Sequence, residues 1–169
     1  MRQNRPLATW DLGTDQTVDR VRFRGVPPLA YNRSQAPVLA IVIQTIRAES
    51  GRQLWKDLHA ADWAVNALVD EQAEIRSLVA DQHAPALKGV ERPIDEIVML
   101  SLGIIETADG VTEDQLLAAA GLVRQWLDVH ALDQDDVISH GDLIEEDSCS
   151  CNRAAQNIRE ILFAPMERD

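Results

Sequence analysis

The chain has 169 residues, 46% of them hydrophobic and 26% charged. That suits one globular domain and excludes both a disordered chain and a small fold dependent on disulfides. Twenty-eight acids against 16 bases give a formal charge of −12, which excludes free nucleic acid and anionic membrane as main partners. No run approaches the ~18 apolar residues of a membrane span. Residues 1–13 carry no apolar core of a signal peptide, so the expected location is the cytoplasm, with release by lysis or a place in a virion as alternatives.

Charge divides the chain. The first 50 residues hold seven Arg and four acids, whereas the remainder holds nine bases and 24 acids. Residues 1–36, with Pro6, Pro27 and Pro28, read as a basic N-terminal arm ahead of a domain over 37–169. Within the arm, Arg20 to Arg24 alternates as a short strand with an Arg face. The apolar, mostly β-branched run Val38 to Ile43 predicts a central strand buried on both faces, over 38–44. Ser50-Gly51-Arg52-Gln53 has capping-box spacing and opens a helix over 51–61. Residues 64–70 and 74–79 read as a hairpin turning at Glu71-Gln72, although the Asn-Gly signal is missing. Residues 81–95 read as a loop and 97–102 as another apolar strand. A second capping box, Thr112 to Gln115, precedes the clearest helix, 112–129, with Leu116, Ala120, Val123 and Leu127 on one face. A short strand at Val137-Ile138 leads to His140, followed by an acidic loop and a last helix over 152–163. The order predicts an α/β (α+β) domain, a mixed sheet covered by about three helices.

One constellation looks chemical. His140 ends a strand, and Cys149 follows nine residues later, with Cys151 just beyond Ser150. Imidazole and thiolate suit zinc, but a catalytic zinc takes three protein ligands and a water. A bond between Cys149 and Cys151 would close a tight ring and make a poor staple. The pair therefore reads as reduced thiols, as metal ligands or as ordinary residues. Seven acids crowd residues 133–147, among them Glu145, Glu146 and Asp147. They read as a solvated face or a docking patch for a basic partner.

The order of these segments resembles the type-2 N-acetylmuramoyl-L-alanine amidases, a family that includes short phage lysozymes and the peptidoglycan recognition proteins. The resemblance spans about 38–163. Ile41 to Thr45 matches a strand ending in a zinc-binding His, with Gln44 at that position. Trp63 to Ile75 matches the family's hairpin, with Val65-Asn66 where Tyr-His is usual. Val137 to Asp142 matches the segment holding the second zinc His, here His140, and Ser148 to Cys151 the segment holding the third ligand, here Cys149. The resemblance implies an amidase fold with a degenerate zinc site: His140 and Cys149 as residual ligands, and a groove including Val65, Asn66, His83, Asp147 and Cys151. Zinc is expected at low occupancy at most, because an amide is a weak zinc ligand.

Three functions follow. The first is an inactive amidase-fold protein that binds a protein with a basic surface or a peptidoglycan fragment. The second is a working zinc amidase with a rearranged site, completed by Cys151 or His83. The third is a component of a phage-like particle that oligomerises through the basic arm.

Overall fold

A computed structural model describes residues 30–32, 37–60, 63–81, 83–90 and 98–164. The predicted Arg20–Arg24 strand lies outside these. The elements are β1 (Ala30–Asn32), β2 (Ala40–Arg47), α1 (Gly51–Ala60), β3 (Ala67–Val69), β4 (Ile75–Ser77), β5 (His83–Pro85), β6 (Met99–Glu106), α2 (Glu113–His130), β7 (Val137–Ser139), α3 (His140–Ile144) and α4 (Ser150–Phe163). Among the described residues, five of the strands make one mixed sheet, β1 and β5 make a separate two-stranded ladder, and four helices complete the α/β architecture that the sequence predicts.

The sheet order is β4-β3-β6-β2-β7. All neighbours run parallel except β3 and β4. Parallel strands need crossover connections. Helix α1 carries the chain from β2 towards β3, and α2 carries it from β6 to β7. With both faces covered, the central strands are apolar almost throughout, and β2 and β6 are buried along nearly their whole length. Residues alternate between the faces. Ile41 and Ile43 of β2 face α2 and α4, in a core with Leu100, Leu102, Ile104, Val123, Trp126 and Ile158. Ile46 faces the other way, in a second core with Leu54, Leu58, Val65, Leu68 and Leu78.

The long helix is fixed at both ends. Thr112 Oγ1 accepts from Gln115 N at 3.2 Å, and Gln115 Oε1 accepts from Thr112 N at 2.9 Å. This is the capping box predicted from the sequence. Gln115 also reaches inward: its Nε2 donates to the backbone carbonyls of Asp70 and Ile105, each at 2.8 Å. At the other end Ala131 takes a left-handed conformation (φ 54°), closing the helix as an αL cap.

Several boundaries differ from the sequence-based expectation. Strands β2 and β6 run on to Arg47 and Glu106, because the parallel register continues to that pair, where the two side chains form an ion pair at 3.9 Å. The hairpin strands are shorter than predicted. Their turn is made by Asp70, whose carboxylate accepts from the N–H groups of Gln72 and Glu74, doing the work of the missing Asn-Gly. The predicted loop at 81–95 contains β5, which pairs antiparallel with β1 of the arm. The predicted acidic loop contains α3. Helix α4 begins at Ser150, two residues before the expected start. Among the described residues no helix is long and apolar enough to cross a membrane.

Candidate metal centre

The site is built where β7 turns into α3 and where α4 begins. Ser139 caps α3: its Oγ accepts from Asp142 N at 3.0 Å while the Asp142 carboxylate accepts from Ser139 N at 3.0 Å. The cap places His140 on the first turn. Glu145 ends α3 in a left-handed conformation, and the chain doubles back through 146–149 into α4. Asn152 braces this return. Its Nδ2 donates to the carbonyls of Glu146 and Asp147, each at 3.1 Å, and its Oδ1 accepts from Ser139 Oγ. The packing is close enough to demand glycine at 141. A Cβ there would collide with the Asn152 side chain and come within 2.8 Å of the Glu146 carbonyl. The start of α4 is tied to the sheet as well. Ser150 Oγ donates to the Glu106 carboxylate at 2.9 Å and accepts from Thr45 Oγ1 at 2.6 Å.

This frame brings His140, Cys149 and Cys151 together, with one ligand atom from each lying within 4.8 Å of the others. His140 is buried, 5% exposed, and its Nε2 lies 2.5 Å from the carbonyl oxygen of Lys88. An Nε2–H donated to that carbonyl leaves the lone pair on Nδ1, the tautomer a metal ligand needs. Lys88 is held in turn by its ammonium over the Trp63 ring, 5.7 Å from the centroid. Burial pushes the His140 pKa below 6.5 and the Lys88 charge adds to the shift, while the Lys88 carbonyl and Glu146 oppose it. Burial thus favours the neutral imidazole, the form that coordination requires.

The cysteines correct the sequence-based expectation of free thiols. Cys149 and Cys151 are joined as a disulfide with Cα atoms 5.2 Å apart, within the range such bonds need. Cys149 is the half-buried N-cap residue of α4 and Cys151 lies buried in its first turn, so the helix entry brings the two sulfurs together. As a disulfide the sulfurs are not thiolates. As thiols, with His140, they make a soft donor set that fits zinc.

Gln44 occupies the middle of β2 and is 3% exposed. Its Oε1 is buried and has no hydrogen-bond partner among the described residues. The register pairs Ile43 with Ser139, so Gln44 and His140 are each one residue beyond that pair, on adjacent strand paths. Gly103 is its partner on β6. A Cβ at Gly103 would come 2.7 Å from the Ile46 side chain, so this row of the sheet is closely filled.

The other predicted groove residues divide. Val65 and Asn66 have no exposed surface in this structure. Val65 belongs to the second core, and Asn66 is a structural clamp. Its Oδ1 accepts from Ser101 N and Oγ, and its Nδ2 donates to the carbonyls of Val79 and Ala80. His83 lies in β5, its backbone paired with Asn32. Asp147 is exposed and contributes its carbonyl to the Asn152 brace. Sequence reasoning missed Asn152, Lys88 and Gly141. Only Ser139 with Asp142, a Ser-x-x-Asp start, carried a local signal.

No protein-family model and no curated protein matches the sequence. Solved structures do. The chain is similar to a mutant endolysin from Bacillus subtilis, with TM-score 0.63 and 14% identity over 82% of this chain and 95% of that one. It is similar to AmpD, with TM-score 0.59 and 13% identity over 77% and 90%. It is also similar to the Staphylococcus aureus hydrolase AmiA in complex with its ligand, with TM-score 0.58 and 13% identity over 80% and 78%. The chain thus has the fold of these endolysin and hydrolase structures, and the amidase-like architecture implied by the sequence is the one observed.

Proposed function

We propose that the chain is a binding protein built on an amidase-type fold, without amide-hydrolysing activity of its own. The observation that carries this is the pairing of Cys149 with Cys151. A catalytic zinc needs three protein ligands and a water, and a cysteine ligand must be a thiolate. With both sulfurs bonded to each other, His140 is the remaining strong donor of the cluster. Gln44 offers only a neutral amide oxygen. The exposed acids Glu145, Glu146 and Asp147 adjoin the site, and their negative field opposes the oxyanion that amide hydrolysis builds.

The acidic body, with 24 acids and nine bases beyond residue 50, suits a protein partner with a basic surface. A peptidoglycan fragment is the second reading, supported by the fold likeness to AmiA, whose structure holds a ligand. A muropeptide with an intact lactyl–alanine amide separates binding from cleavage. The expected result is that the amide survives prolonged incubation. Release of free peptide by the unmodified protein, abolished by His140→Ala, would overturn the proposal.

A further inference from the structure

We propose that His140, Cys149 and Cys151, with the side-chain amide oxygen of Gln44, form a redox-gated zinc site that the thiol pair opens and the disulfide closes. Two independent observations support it. The first is the convergence of one imidazole and two sulfurs within 4.8 Å, although the sulfurs are at present bonded to each other. In a tetrahedral zinc site with bonds of about 2.3 Å, two sulfurs lie about 3.8 Å apart. Side-chain rotation within the same loop supplies that change once the S–S bond is broken. The second is the buried Gln44 Oε1, which lacks a partner among the described residues. A buried polar atom left unpaired is costly and calls for an explanation. Gln44 lies on the strand beside β7, one residue beyond the pair that leads into His140. A fourth-ligand role gives its oxygen a partner and leaves the strong bonding to the imidazole and the two thiolates.

The gate balances as thiol–disulfide exchange. Two thiols of a reductant are oxidised to one disulfide as the Cys149–Cys151 bond is reduced to two thiols. On coordination these two thiols give their protons to solvent, and the His140 imidazole binds through Nδ1, the nitrogen left free by the Nε2 contact to the Lys88 carbonyl. An oxidant of the disulfide class reverses the change, taking two electrons from the thiolates and leaving no sulfur charge to hold the ion. The frame that holds the sulfurs, from Ser139 through Asn152, stays in place in both states. In the reduced state the binding-only function rests on Gln44 filling the fourth position and on the acids at 145–147, so a zinc ion held here is a clip with no open position for water.

The full chain is reduced with a phosphine, freed of reductant and loaded with zinc or cobalt without oxygen. The expected results are two titratable thiols, one metal ion per chain and a thiolate-to-cobalt charge-transfer band. Oxidised glutathione then abolishes both thiols and releases the metal. Cys151→Ser lowers affinity by more than about 100-fold and Gln44→Leu by about tenfold, since even outer partners of a ligand carry 10–100-fold. Should Cys151→Ser fail to fold, the cobalt spectrum of the unmodified protein reports thiolate ligation directly. Reduced protein that shows two thiols but takes up no metal would overturn the proposal, as would metal uptake that survives glutathione oxidation. Peptide release from muropeptides by the zinc-loaded protein would overturn the binding-only function and leave the gate standing.

Discussion

Asn66→Ala tests whether residue 66 recognises a ligand or holds the fold. Its Oδ1 accepts from Ser101 N at 3.0 Å and from Ser101 Oγ at 3.2 Å. Its Nδ2 donates to the carbonyls of Val79 and Ala80, both at 3.3 Å. Alanine leaves these groups behind, but not equally. Ser101 Oγ keeps the backbone N–H of Asn66 as a partner, and the Ala80 contact is only partly buried. Ser101 N–H and the Val79 carbonyl lose a side-chain partner in a buried position. At about 1–3 kcal/mol for each buried group left unpaired, the expected loss is about 4 kcal/mol. For a domain of this size that lowers Tm by about 8–16 °C. Urea unfolding followed by far-ultraviolet circular dichroism measures it. Asn66→Asp is expected to lose a similar amount, because the carboxylate keeps the acceptor but not the amide donors. A loss below about 1 kcal/mol for Asn66→Ala, with an unchanged m-value, would refute the clamp.

Gln115→Glu replaces the donor that joins α2 to the carbonyls of Asp70 and Ile105 with an acceptor facing two acceptors. The expected loss is about 2–4 kcal/mol, larger than the ~1 kcal/mol for Thr112→Ala, which removes only the cap; chemical denaturation of both variants gives the order. In metal-free protein His140 makes stability depend on pH. Its folded-state pKa lies below the unfolded value of 6.5, so between the two the unfolded chain binds more protons. This contribution is complete above about pH 6.5 and is lost as pH falls towards the folded-state pKa. The urea midpoint is therefore expected to fall between pH 7.5 and 5, and less steeply in His140→Gln; equal slopes would show that the buried imidazole does not titrate as described.

The sheet was legible where burial on both faces forces a long apolar run. Val38 to Ile43 and Ile97 to Leu102 mark the two central strands, and the capping box at Thr112 marks the start of α2. Legibility failed where an element owes its existence to distant residues. Strand β5 is three residues ending in Pro85, and it exists because β1 pairs with it from about 50 residues away. Asn66 stands in a segment that resembles a groove wall, yet its role is set by Ser101, 35 residues on. The convergence of His140 with Cys149 was readable from spacing, because one loop carries both. The bond between Cys149 and Cys151 ran against the expectation from ring size. Nothing local says that the entry of α4 aims both sulfurs to one side.

The residues that shape the loop are not the residues that offer ligands, so loop geometry and metal chemistry are separable. Asn152 shows this. It touches neither His140 nor the sulfurs through any hydrogen bond described, yet it holds Ser139 Oγ on one side and the Glu146 and Asp147 carbonyls on the other. Asn152→Ala removes all three bonds. Water replaces part of them, because Asn152 is partly exposed, so the expected cost is about 1–2 kcal/mol and falls on the loop rather than on the whole domain. Two backbone bonds report on the loop: Glu146 N to the Gly141 carbonyl at 2.9 Å and Cys149 N to the Glu146 carbonyl at 3.3 Å. Hydrogen exchange at these two amides is expected to quicken by about 5–30-fold, while the amides of β2 and β6 keep their protection. If exchange quickens equally across the sheet, Asn152 supports the whole fold. If it does not quicken at all, the loop is held by the disulfide and the α3 cap alone, and Asn152 is not the brace.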